Sequence, residues 1–98
     1  MQVLQWTMTI PADKQPAFTK WFKEVGGPGL GGFGAIQHEL YKMEREDKFV
    51  ERIYFDNDFN IPDYFAQVKA NPETWKLSRT YEGEFGATNI ELKILKQA

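Results

Sequence analysis

The chain has 98 residues, 42% hydrophobic and 15% aromatic, with a formal net charge of -2 and a pI near 5.4. So many core formers exclude a disordered chain, the length allows one domain over residues 1–98 rather than two cores, and the charge gives a nucleic-acid backbone or an anionic membrane little to hold. Cysteine is absent, which removes disulfides, thiolate nucleophiles and zinc-thiolate sites together and suits a reducing compartment.

MQVLQWTMTI has no basic leader region, and no run approaches the roughly 18 apolar residues of a membrane span, so a cytoplasmic protein is expected. Within that stretch Leu4, Trp6, Met8 and Ile10 alternate with Val3, Gln5, Thr7 and Thr9, which predicts a strand with one apolar face. Pro11 ends it. Asp13 is placed to cap a helix that tolerates Pro16 in its first turn, and Phe18, Trp21, Phe22 and Val25 follow helical spacing as far as Gly26, read as the stop.

AIQHELYKMEREDKFVERIYFD then reads as a hairpin turning at Glu46 and Asp47. That turn sets Tyr41 opposite Arg52, Glu39 opposite Tyr54, Lys42 opposite Glu51, Leu40 opposite Ile53 and His38 opposite Phe55. A second helix starts at Asn60, with Asp63 three residues on and Ile61, Tyr64, Phe65 and Val68 on one face. Asn71-Pro72 breaks and restarts it, Trp75, Leu77 and Tyr81 belong to the new segment, and Gly83 and Gly86 end it. A last strand follows, with Ile90, Leu92 and Ile94 in alternation. The order strand, helix, strand, strand, helix, strand predicts an α+β ferredoxin-like βαββαβ fold, a four-stranded antiparallel sheet with its helices on one face.

GGPGLGGFG, Gly26 to Gly34, holds six of the eight glycines and matches G-x-G-x-x-G twice. A phosphate cradle of that kind follows a strand and opens a helix, where free N-H groups meet the anion. Here the run follows a helix and enters a strand. It is read as a helix stop, with Gly26 and Gly27 left-handed, and a flexible connector that could serve as a lid.

One histidine excludes a multi-histidine metal centre, and neither metal nor cofactor is expected. His38 is placed toward the helices. On the opposite sheet face Gln5, Glu39, Tyr41, Arg52 and Tyr54 combine a guanidinium with phenols, a platform for a carboxylate or an aromatic ring, or else an interface face. Trp6 and Trp21 are assigned to packing.

The βαββαβ order together with YFAQVKANPETWKLS resembles the dimeric α/β barrel superfamily, which includes antibiotic-biosynthesis-type monooxygenases and NIPSNAP-like small domains. The resemblance implies that two sheets pack face to face as a homodimer and that a small aromatic or lipophilic ligand binds inside the barrel or between sheet and helices. It therefore points to a homodimeric small-molecule-binding protein using Gln5, Glu39, Tyr41, Arg52 and Tyr54. A cofactor-independent monooxygenase or isomerase, with His38 or Tyr54 moving a proton, and a structural dimer without ligand are the alternatives. The haem-degrading pattern of the superfamily is not met, because no histidine falls on a helix.

Overall fold

A computed structural model describes all 98 residues. β1 (Gln2–Thr9) leads through a 3-10 turn (Ala12–Lys14) into α1 (Gln15–Trp21), a π turn (Phe22–Gly26) and the short α2 (Gly27–Leu30). β2 (Gln37–Lys42), β3 (Lys48–Phe55), α3 (Ile61–Ala70), α4 (Pro72–Gly83) and β4 (Thr88–Lys96) follow. The sheet is antiparallel in the order β2-β3-β1-β4, the ferredoxin-like order expected from the sequence.

Strand parity decides which side chains meet the helices. Leu4, Met8, Phe49, Ile53 and Phe55 face them and are almost completely buried, together with Phe18 of α1, Ile61, Tyr64 and Val68 of α3, and Tyr81 of α4. Phe18 sits at the centre, with the rings of Phe49, Phe85 and Tyr81 edge-on at 5.1, 5.4 and 5.8 Å. Edge-to-face contacts of this kind suit the aromatic quadrupole and add to the area each ring removes from water. Trp21 packs on Tyr81 and Phe85, as its assignment to packing requires.

The hairpin register differs from the expected one by two residues. Glu39 pairs with Arg52, Leu40 with Glu51, Tyr41 with Val50, Lys42 with Phe49, and His38 with Ile53. The loop spans Glu44 to Asp47, closed by Met43 N-H donating to the Lys48 carbonyl at 2.9 Å, with Arg45 left-handed at φ 62°. The Ile10 N-H holds this loop through the Asp47 carbonyl at 2.9 Å, a tie to β1 that cross-strand charge pairing does not reveal. A slip of two leaves every side chain on its expected face.

The glycine run corrects the sequence reading. Gly26 and Gly27 are helical at φ -66° and -60°, and the helical path continues to Leu30. Pro28 lacks an N-H and cannot close a normal turn, and the preceding residues widen into the π turn, with Gly27 N-H reaching back to Phe22 O. Close packing explains the missing side chains: a Cβ on Gly26 would lie 2.6 Å from the Trp21 ring, and one on Gly29 would strike Leu77. The chain turns instead at Phe33 and Gly34, with φ 58° and 95°, and a Cβ on Gly34 would strike the Phe59 ring. The connector is thus shorter than expected.

Helix starts also differ. Neither Asp13 nor Asn60 caps through its side chain, whereas Asn71 accepts from Glu73 N-H at 2.9 Å and Thr74 N-H at 3.3 Å, so the Asn-Pro break is a capped restart. β4 is exposed along its whole length, with Ile90, Leu92, Ile94 and Leu95 each at least 40% accessible.

Candidate functional site

A cavity of about 360 Å³ lies between the sheet and the helices α3 and α4. Its walls are mainly apolar: Trp6 and Met8 of β1, Leu30, Phe65 and Val68, and Trp75 with Ile90 toward the outside. β1 supplies Trp6 and Met8 because alternate residues of a strand share a face, and α3 supplies Phe65 and Val68 at helical spacing. Lys69, Ser78 and Glu82 also line it.

Into this mainly apolar wall projects one buried carboxylate. Glu51 stands at a core-facing position of β3, two residues from both Phe49 and Ile53, and is only 3% exposed. An isolated buried carboxylate is costly, so its partners matter. The Tyr81 hydroxyl donates to Oε1 at 2.7 Å, and His38 Nε2 meets Oε2 at 2.8 Å. The other ring nitrogen, Nδ1, meets the Gly27 carbonyl at 3.1 Å, and the Phe22 ring packs edge-on against the imidazole at 4.8 Å. Both ring nitrogens therefore face oxygens that accept, Gly27 always and Glu51 when ionised, so a proton lies between Nε2 and Oε2. Tyr64 donates to the Leu30 carbonyl at 2.6 Å. Burial first and the Glu51 charge second push the Tyr64 and Tyr81 hydroxyls above the ordinary phenol range, so both remain neutral donors.

On its far side His38 borders a second hollow, an open groove of about 870 Å³ shared with Phe22, Gly27, Gly31, Leu40 and Phe49 and edged by Lys23 and Lys42. His38 is thus on the expected, helix-facing side, but it pairs across the sheet with Ile53 rather than Phe55, and its working partner is Glu51. Sequence reasoning passed over Glu51. The available signal was parity: a carboxylate at the middle of the F-x-E-x-I-x-F alternation, where water is excluded.

The five expected binding residues do converge, on the opposite face. Arg52 Nε donates to Gln5 Oε1 at 2.9 Å, its guanidinium lies 5.8 Å from the Tyr41 ring centre, and the Tyr41 hydroxyl donates to Glu39 Oε2 at 2.6 Å. The Tyr41 hydroxyl first, then the nearby Tyr54 hydroxyl and the Arg52 charge, hold the Glu39 carboxyl below the usual carboxylate range. Tyr54 in turn is raised by Glu39. Glu39 Oε1 is shielded from solvent without a hydrogen-bond partner. No group of three or more histidine, acidic or cysteine side chains is placed to hold a metal, and no helix is long and apolar enough to cross a membrane.

No protein-family model matches the sequence, and no curated protein matches it. Solved structures do. A NIPSNAP domain protein from Burkholderia xenovorans matches with a TM-score of 0.74 at 18% identity, over 100% of this chain and 95% of that one. SnoaB, a cofactor-independent oxygenase from Streptomyces nogalater, matches with a TM-score of 0.72 at 14% identity, over 98% of this chain and 91% of that one. An antibiotic biosynthesis monooxygenase matches with a TM-score of 0.74 at 8% identity, over 100% and 99% of the two chains. The chain has the ferredoxin-like fold shared by these monooxygenase and NIPSNAP-type proteins, and at such identities the likeness is one of fold.

Proposed function

We propose that this chain is a homodimeric small-molecule-binding protein that takes one small aromatic molecule into the pocket beneath α3 and α4, where Glu51 exchanges a proton with it. The observation that carries this reading is a buried carboxylate on a mainly apolar cavity wall, held by Tyr81 and His38. A hydrophobic pocket with a few convergent polar groups is the usual form of a ligand site. A carboxylate partly withdrawn from water is a serviceable proton acceptor for a phenol or an enolisable carbon. The name of SnoaB as a cofactor-independent oxygenase favours, as the enzymatic version of this reading, a reaction begun by deprotonating the substrate and needing no bound cofactor.

The test uses 2-naphthol as a phenolic probe, titrated calorimetrically. Saturable binding is expected in the unmodified protein and its loss in Ser78→Trp, which fills the pocket wall; absence of binding in the unmodified protein overturns the reading.

A second reading places the ligand inside a barrel formed by two sheets, against Gln5, Glu39, Tyr41, Arg52 and Tyr54. Its support is the shielded, unpartnered Glu39 Oε1, which a donor from a ligand or a second subunit would satisfy. The dimer itself is supported by the exposure of Tyr41 at 49% and Leu95 at 42% on that face. Light scattering is expected to give twice the chain mass, falling to one chain mass in Leu95→Lys.

A further inference from the structure

We infer that Glu51 and His38 form a proton path joining the pocket beneath α3 and α4 to the open groove beside α2, with His38 as the group through which the buried Glu51 exchanges protons with water. The inference deepens the pocket reading, yet its test needs no ligand.

Three observations support it. Glu51 lines the pocket, His38 lines the groove, and a single 2.8 Å contact joins them, so one hydrogen bond links two hollows that share neither residue. The ends of the path are distinct atoms: Oε1 is on the Tyr81 side and Nδ1 on the Gly27 side. Phe22, Leu40 and Phe49, which line the groove beside His38, are apolar and cannot relay a proton. The charged and titratable groups facing the pair are Lys23 of the π turn and Lys42 of β2 on the groove side, Tyr64 of α3 and Tyr81 of α4 on the pocket side, and Lys69 and Glu82 at the pocket lining.

The transfer balances as follows. An acidic X-H in the pocket gives its proton to Oε1 and X keeps the bonding electron pair. The proton already held between Oε2 and Nε2 then resides on Nε2, so the ring is an imidazolium. Nδ1 releases its proton to water in the groove, leaving Oε1-H and a neutral ring with its proton on Nε2. The cycle closes when Oε1 returns its proton to the ligand or product and Nδ1 takes one back from water, restoring its bond to the Gly27 carbonyl. A histidine in this role is a positioning and relay residue, touching the carboxylate rather than the ligand.

The Tyr81 hydroxyl reports on the path without a ligand, because its proton rests against Oε1. Its exchange with solvent, followed by NMR, should slow by about a hundredfold in His38→Gln, whose amide still donates to Oε2 but carries no proton onward. Added imidazole should restore the rate. A merely structural histidine predicts the opposite, since loosening the contact would speed exchange, and an equal or faster rate overturns the path. Glu51→Gln, whose amide cannot take up and pass on a proton, should slow the exchange as well, which keeps the inference testable if His38→Gln does not fold; an unchanged or faster rate there overturns it. Calorimetry with 2-naphthol on the same samples separates the two ideas. Binding with unaltered exchange removes the path and leaves the pocket, and altered exchange without binding does the reverse.

Discussion

The two faces of the sheet each carry a glutamate flanked by tyrosine, and the two carboxylates live in opposite conditions. Glu51 is enclosed by apolar side chains and kept by one histidine from the neighbouring strand and one tyrosine from a helix far along the chain. Glu39 is bonded to Tyr41 two residues away on its own strand, beside Arg52 on the next, on a face with no helix over it. The same side chain is a potential reagent in the first setting and a surface-network member in the second. What separates them is the supply of water and the number of partners able to replace it.

The contrast breaks most sharply at His38. His38→Ala leaves Glu51 buried with a single donor and should lower unfolding stability by about 3–5 kcal/mol in urea titrations, the usual result of orphaning a buried ion-pair partner. Glu51→Gln, which needs no counter-charge, should cost clearly less; equal losses would show that an unpaired buried charge is not what makes the loss of His38 costly. An intermediate effect is expected at high pH. Burial and Glu51 raise the hydroxyl pKa values of Tyr64 and Tyr81 in the folded state. Their contribution is therefore whole below the unfolded value near 10 and fades as pH rises through the higher folded values. Thermal melts should fall steeply above about pH 10, and less steeply in Tyr81→Phe. The smallest effect belongs to the open face. Tyr41→Phe removes the Glu39 hydrogen bond in a solvated setting and should leave the urea midpoint of the subunit unchanged, a shift as large as that of His38→Ala being the result that would erase the comparison.

Much of this was legible beforehand, and the physics says which part. Face assignment in β2 and β3 rested on a period of two, so a hairpin displaced by two residues still sent His38, Leu40, Ile53 and Phe55 inward and Glu39, Tyr41, Arg52 and Tyr54 outward. The pairing itself depended on the loop, where Arg45 takes a left-handed conformation that a charged turn sequence does not advertise. The convergence of Gln5 with Arg52 was readable because strands fix neighbours. The Glu51 site was not, since Tyr81 arrives from a helix thirty residues later and its approach depends on how α4 packs. The glycines misled for a related reason: an absent side chain is compatible with a bend or with a tight fit, and only Trp21 and Leu77 in place show that Gly26 and Gly29 serve the fit.

The widened turn at Phe22–Gly26 reaches further than its own helix. Shortening that stretch by one residue would rotate everything after it by about 100°, swinging the Gly27 carbonyl away from the imidazole it touches. Length in this segment is therefore coupled to chemistry on a strand it does not belong to, and natural or engineered deletions there should silence the histidine and also displace Leu30, the one pocket-lining residue carried on α2.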